Sequence, residues 1–155
     1  MSTEQNGLDG DLPRGKVAVI ASRYNPAICD SLVQAAVATL IEAGFQDEQV
    51  IVVRVPGAWE LPLVAKRMIA NTGVIGVVTL GCVIKGETTH DEHINRAVST
   101  SLMQLSIDTE IPIGFGLLTC NTVEQALQRS GGNVGNKGEE AASAVIELLR
   151  LVKKL

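Results

Sequence analysis

Residues 74–84 read Val-Ile-Gly-Val-Val-Thr-Leu-Gly-Cys-Val-Ile and carry no charge. A run this apolar and β-branched needs cover on both faces, which parallel strands beneath helices receive. Shorter strands of similar character are predicted at 16–21, 50–55 and 111–118. The stretches between them are longer and amphipathic. Asn25 as an N-cap with Pro26 at the first helical position opens a helix that Gly44 ends. A second helix is predicted near 60–70, with Pro62 tolerable in its first turn. A third covers about 89–108, with Thr89 and Glu92 spaced as a capping box. A short fourth starts at Thr122, with Gln125 as box partner, and stops near Arg129 before Gly131-Gly132. The last begins after Gly138, with Ala141, Val145, Leu148, Leu149 and Val152 along one face. This alternation predicts an α/β fold: a three-layer α-β-α sandwich on a four-stranded parallel sheet, one domain over 16–155, with residues 1–15 as an arm.

Composition narrows the function. Hydrophobic residues make up 46% and charged residues 19%, a globular balance. The net charge is -4 with no basic stripe, which argues against nucleic acid as a partner. Each apolar run is interrupted by Gly or charge before membrane-spanning length, so no membrane association is expected. The stretch 1–16 is polar and lacks the apolar segment of a signal peptide. The three cysteines, Cys29, Cys82 and Cys120, stand far apart without a Cys-x-x-Cys, which suggests free thiols in a reducing cytoplasm.

In open parallel sheets, ligands sit beyond the carboxyl ends of the strands. Those ends collect Ser22 to Asn25, Gly57 to Glu60, Lys85 to His90 and Thr119 to Thr122. Aromatics are only 3% of the chain, so finding Tyr24 and Trp59 at two of these ends is informative, although either could serve the core. Gly81 to His90 runs from a strand into a helix N-terminus. Backbone N–H groups there can hold a phosphate, and His90 can move protons beside it. Glu60 suits a helix cap or a polyhydroxylated ligand equally. Arg129 can grip phosphate with both guanidinium arms, and Lys137 sits in a Gly-Asn-Lys-Gly loop that closes on an anion or simply joins two helices. Neither a P-loop nor a Gly-x-Gly-x-x-Gly is present. His90 and His93 share a helix face and could form half of a metal site, but no third ligand stands at a recognisable spacing, so no metal is expected.

The chain resembles the 6,7-dimethyl-8-ribityllumazine synthase family, whose fold is flavodoxin-like. The resemblance is carried by Ala21-Ser22-Arg23-Tyr24-Asn25, Val55-Pro56-Gly57-Ala58-Trp59-Glu60-Leu61-Pro62, Leu80-Gly81 through His90, Phe115-Gly116-Leu117-Leu118-Thr119, Glu124-Gln125-Ala126, and Gly135-Asn136-Lys137-Gly138 with Glu140-Ala141-Ala142. It implies a riboflavin-pathway transferase that condenses 5-amino-6-(D-ribitylamino)uracil with 3,4-dihydroxy-2-butanone 4-phosphate, through a Schiff base, phosphate loss and ring closure, with no metal or redox cofactor. It implies Tyr24 against the uracil ring, and Ala58, Trp59 and Glu60 along the ribityl chain. Backbone groups of Cys82, Val83 and Ile84 would read the pyrimidine edge. Glu87, Thr88 and Arg129 would take the phosphate and His90 would carry protons. Phe115 and Lys137 would complete the site across a subunit boundary. The resemblance further implies homopentamers, in some members twelve of them in a 60-subunit shell, an arm along a neighbouring subunit, and riboflavin synthase as a partner. The chain departs from the family at Asp91 and His93, where aromatics are usual. Two other readings compete: a shell-forming homologue that binds flavin-like ligands without catalysis, against which His90, Arg129 and Lys137 weigh, and a metal-dependent hydrolase on His90 and His93.

Overall fold

The computed structural model covers residues 1–155. Its strands are β1 (Val17–Ser22), β2 (Val50–Val55), β3 (Gly76–Ile84) and β4 (Ile113–Cys120). Its helices are α1 (Pro26–Ala43), α2 (Leu61–Thr72), α3 (His90–Thr109), α4 (Val123–Gln128) and α5 (Lys137–Lys154), with a short pair β5 (Ser130–Gly132) and β6 (Gly135–Asn136) between the last two. The first four strands make one parallel sheet in the order β2-β1-β3-β4. Val17 of β1 stands opposite Val50 on one side and Gly76 on the other. This is the predicted three-layer, flavodoxin-like α/β sandwich.

Strand β1 feeds both layers. Val17, Val19 and Ala21 pack with Leu32 and Leu40 of α1 and Ala142, Val145 and Leu149 of α5. Ala18 and Ile20 point the other way, into a core with Leu61 and Ala65 of α2 and Val98 and Leu102 of α3. Period-two alternation therefore reads correctly even in a strand buried from end to end. Each fully buried aliphatic side chain contributes about 1.5–3 kcal/mol. Where α5 begins it presses onto α1 at Gly138, and a Cβ there would run into the Leu32 carbonyl. The Asn136 side chain caps α5, its Oδ1 accepting from the Gly138 and Glu139 N–H groups at 2.8 and 3.3 Å.

The arm turns back over its own chain. Lys154 Nζ donates to the Asn6 and Asp9 carbonyls and to Asp9 Oδ1, each at 2.9 Å. The Lys154 ammonium holds the Asp9 carboxyl below its ordinary value. Leu12 packs against the α1–α5 core.

Five local expectations are corrected. Asn25 precedes α1 but does not cap it: it is left-handed at φ 56°, and its Nδ2 donates to the Cys82 carbonyl at 3.1 Å. Thr89 makes no capping bond to α3; its hydroxyl lies 3.4 Å from His93 Nε2. The Thr122 box half-forms: Thr122 Oγ1 accepts from the Gln125 N–H, but the Gln125 side chain reaches the Asn121 N–H instead. On α5, Ala141, Ala142, Val145, Ile146 and Leu149 are buried, whereas Leu148 and Val152 overhang the layer and are exposed. Finally, α1 is long and apolar enough, by length and composition, to cross a membrane. Here its apolar face, from Ile28 to Leu40, is taken up by the sheet and α5.

Candidate active site

The strand order turns at β1 and β3, and the helices that follow them, α1 and α3, leave on opposite faces. A crevice must open there. A cleft of about 610 Å³ occupies it, lined by Tyr24, Asn25, Gly57, Ala58, Trp59, Glu60, Cys82, Val83, Ile84, His90, His93 and Ile94. Eight of the thirteen residues expected at the site thus line one cleft: Tyr24, Ala58, Trp59, Glu60, Cys82, Val83, Ile84 and His90.

The loop after β1 is fastened to the end of β2. The Arg23 N–H donates to the Val55 carbonyl at 2.8 Å and the Tyr24 N–H to the Pro56 carbonyl at 3.3 Å. The Tyr24 ring then lies over Gly57, where a Cβ would stand 2.7 Å from ring carbon Cε2 and push the ring aside. Glu60 does the local job its position suggests: its Oε2 accepts from the Gly57 N–H at 2.9 Å. Trp59 and Tyr24 are 61% and 64% exposed, so neither belongs to the core. Large aromatic faces this open are the natural platform for a planar ligand.

On α3, His90 and His93 both reach the cleft, as does Ile94 one helical turn after His90. The His90 N–H donates to Thr88 Oγ1 at 3.3 Å. Glu87 and Thr88 lie on the exposed loop ahead of α3 and do not line the cleft. No third imidazole, thiol or carboxylate joins the two histidines in a metal-ligand group. Gly57 and Ile94 carry no assigned role in the sequence, while Asn25 reads only as a helix cap and His93 only as half of a metal site. The strand-end rule gathers Asn25 and Gly57, and helical spacing from His90 gathers His93 and Ile94.

Phe115, Arg129 and Lys137 lie elsewhere. They line a second hollow of about 400 Å³ with Thr119, Cys120, Val134 and Glu140, where β4, α4 and α5 meet. Arg129 Nη1 donates to the Gln125 carbonyl at 3.1 Å, and its own carbonyl accepts from the Lys137 N–H at 2.9 Å. One chain therefore carries two separate hollows, one with Tyr24, Trp59 and two imidazoles and one with Phe115 and the two cations.

A model of the family described as 6,7-dimethyl-8-ribityllumazine synthase matches residues 14–153. A protein of that name from Rhodopirellula baltica is 61% identical over 150 residues, covering 97% of each chain. The chain belongs to the 6,7-dimethyl-8-ribityllumazine synthase family. Lumazine synthases from Desulfovibrio desulfuricans and Desulfotalea psychrophila are 43% and 42% identical, over 90% of both chains for the first and over 97% of this chain and 98% of its relative for the second.

Three free, buried thiols lie within the floor of this lumazine synthase cleft and the layer behind it. Burial pushes Cys82 up to about 12, helped by its neighbours Cys29 and Cys120. Burial likewise raises Cys29 to about 11 despite Arg54, and raises Cys120 against the pull of Arg129. A folded-state value above the unfolded one means that the fold favours the protonated thiol. That stabilisation is whole below about pH 9 and is lost as pH rises through the folded values. The urea midpoint is expected to fall between about pH 8 and about pH 10.5, and to fall less in a Cys29→Ala/Cys82→Ala double variant. Equal falls in both proteins would remove the thiols as the cause.

Proposed function

We propose that the cleft condenses 5-amino-6-(D-ribitylamino)uracil with 3,4-dihydroxy-2-butanone 4-phosphate to give 6,7-dimethyl-8-ribityllumazine, phosphate and water, a step of riboflavin biosynthesis. The observation that carries this is the joint presence, in a member of this family, of two open aromatic faces and two imidazoles around one strand-end cleft. Tyr24 stacks on the pyrimidine, whose edge meets the backbone of Cys82, Val83 and Ile84. Trp59 and Ala58 flank the ribityl chain, and Glu60 accepts from its hydroxyls through Oε1, its other oxygen being held by Gly57. Glu87 and Thr88 take the phosphate at the start of α3, and His90 transfers protons.

Phe115, Arg129 and Lys137 act on the cleft of a neighbouring copy. The separation of the two hollows within one chain supports this, because Tyr24, Trp59 and the histidines line one and Phe115, Arg129 and Lys137 the other. The assembly we propose is a homopentamer in the cytoplasm, with the compact Gly131-Gly132 link permitting a 60-subunit shell and riboflavin synthase as a partner. Mixing both substrates with the protein is expected to yield lumazine fluorescence and inorganic phosphate together. Light scattering is expected to give a particle of at least pentameric mass. A protein that binds flavin-like ligands yet releases no phosphate would leave the non-catalytic reading in its place.

A further inference from the structure

We propose that His93 is a second proton-carrying group of the cleft, sharing with His90 the proton transfers of the condensation. This rests on the function proposed above. His90 and His93 stand three residues apart on α3, which sets side chains on one helix face about 5–6 Å apart at Cβ, and both rings line the same cleft. The Thr89 hydroxyl lies 3.4 Å from His93 Nε2, which holds the ring by that nitrogen. The same cleft is lined by Tyr24 and Glu60. Glu60 is already engaged by the Gly57 N–H. The Cys82 thiol on the floor is held protonated by burial, at about 12. Imidazole is the side chain whose ordinary titration falls near neutrality, so the two rings are the groups of this cleft suited to both giving and taking a proton.

The chemistry has work for two carriers. Joining an amine to a ketone as a Schiff base moves two protons from nitrogen to the oxygen that leaves as water. As the N–C bond forms, one ring takes the first amine proton while the other gives one to the ketone oxygen. As the C–O bond breaks and the nitrogen lone pair completes C=N, the second ring takes the remaining N–H proton and the first returns its own to the departing hydroxyl. Both rings end as they began.

His93→Phe keeps a planar ring without a proton site. Turnover of the two substrates by this variant is expected to show kcat lowered roughly tenfold, less than the 10²–10⁴-fold expected for loss of His90. KM should stay within about twofold and the melting temperature unchanged. In His93→Gly, added free imidazole is expected to restore about threefold or more of the lost rate, which a merely structural role would not allow. A His93→Phe enzyme with wild-type kcat, or a His93→Gly enzyme indifferent to imidazole, would overturn the assignment. Failure of the unmodified protein to turn over would instead sink the reading on which it rests.

Discussion

Replacing His90 with alanine is expected to lower kcat by about 10²–10⁴-fold, the usual contribution of a positioned acid–base group. This is about 2.7–5.4 kcal/mol of barrier. Turnover should not vanish. Holding the amine against the ketone can itself supply roughly 7–11 kcal/mol, and the residues that form the platform, Tyr24, Trp59 and Ala58, are untouched. Stability should also be unchanged, since His90 is exposed and makes only a backbone contact with Thr88. Steady-state assay with both substrates, beside a thermal melt, measures the two quantities separately. Unaltered kcat with an intact melt would remove His90 from the chemistry and turn attention to His93 alone.

The second large effect is on the fold. Gly138→Ala is expected to destabilise the protein by about 3 kcal/mol. A Cβ at this position would meet the Leu32 carbonyl oxygen and lie 2.8 Å from the carbonyl carbon and 2.9 Å from Cα. All three are backbone atoms of α1, so no side chain can rotate away. The helices must part, and Ala142, Val145 and Leu149 lift from Leu32 and Leu40. For a chain of this size, such a loss lowers the melting temperature by roughly 6–12 °C. Gly86→Ala is the matched control, because a Cβ there meets nothing within 4 Å. Equal melting temperatures for the two variants would show that α1 and α5 yield to each other more easily than their backbones suggest.

The sheet was legible because its strands are short β-branched runs, and the run at 74–84 could be satisfied only by cover on both faces. Helix ends were less legible, because a capping side chain has rivals that local sequence does not reveal. Asn25 is drawn off by the Cys82 carbonyl, 57 residues away. Thr89 is engaged by the His93 side chain rather than by a backbone N–H of the helix. The β5–β6 pair is too short to show any period. On α5 the spacing identified the stripe correctly, but its width depends on the footprint of α1 and the sheet beneath, which leaves Leu148 and Val152 outside. The site divides in the same way. Residues at strand ends could be gathered by a topological rule, and seven of them meet in one cleft. That Phe115, Arg129 and Lys137 open onto a different hollow follows from the course of β4 and α5 in three dimensions.

Strand β1 has a consequence for how the molecule comes apart. Its side chains alternate between the two apolar layers, and it hydrogen-bonds to β2 on one edge and β3 on the other. No partial opening can detach either layer without tearing the same six residues. Amide protons of Val17 to Ser22 should therefore exchange with solvent deuterium only through global denaturation, making this segment an internal gauge of the whole protein's cooperativity.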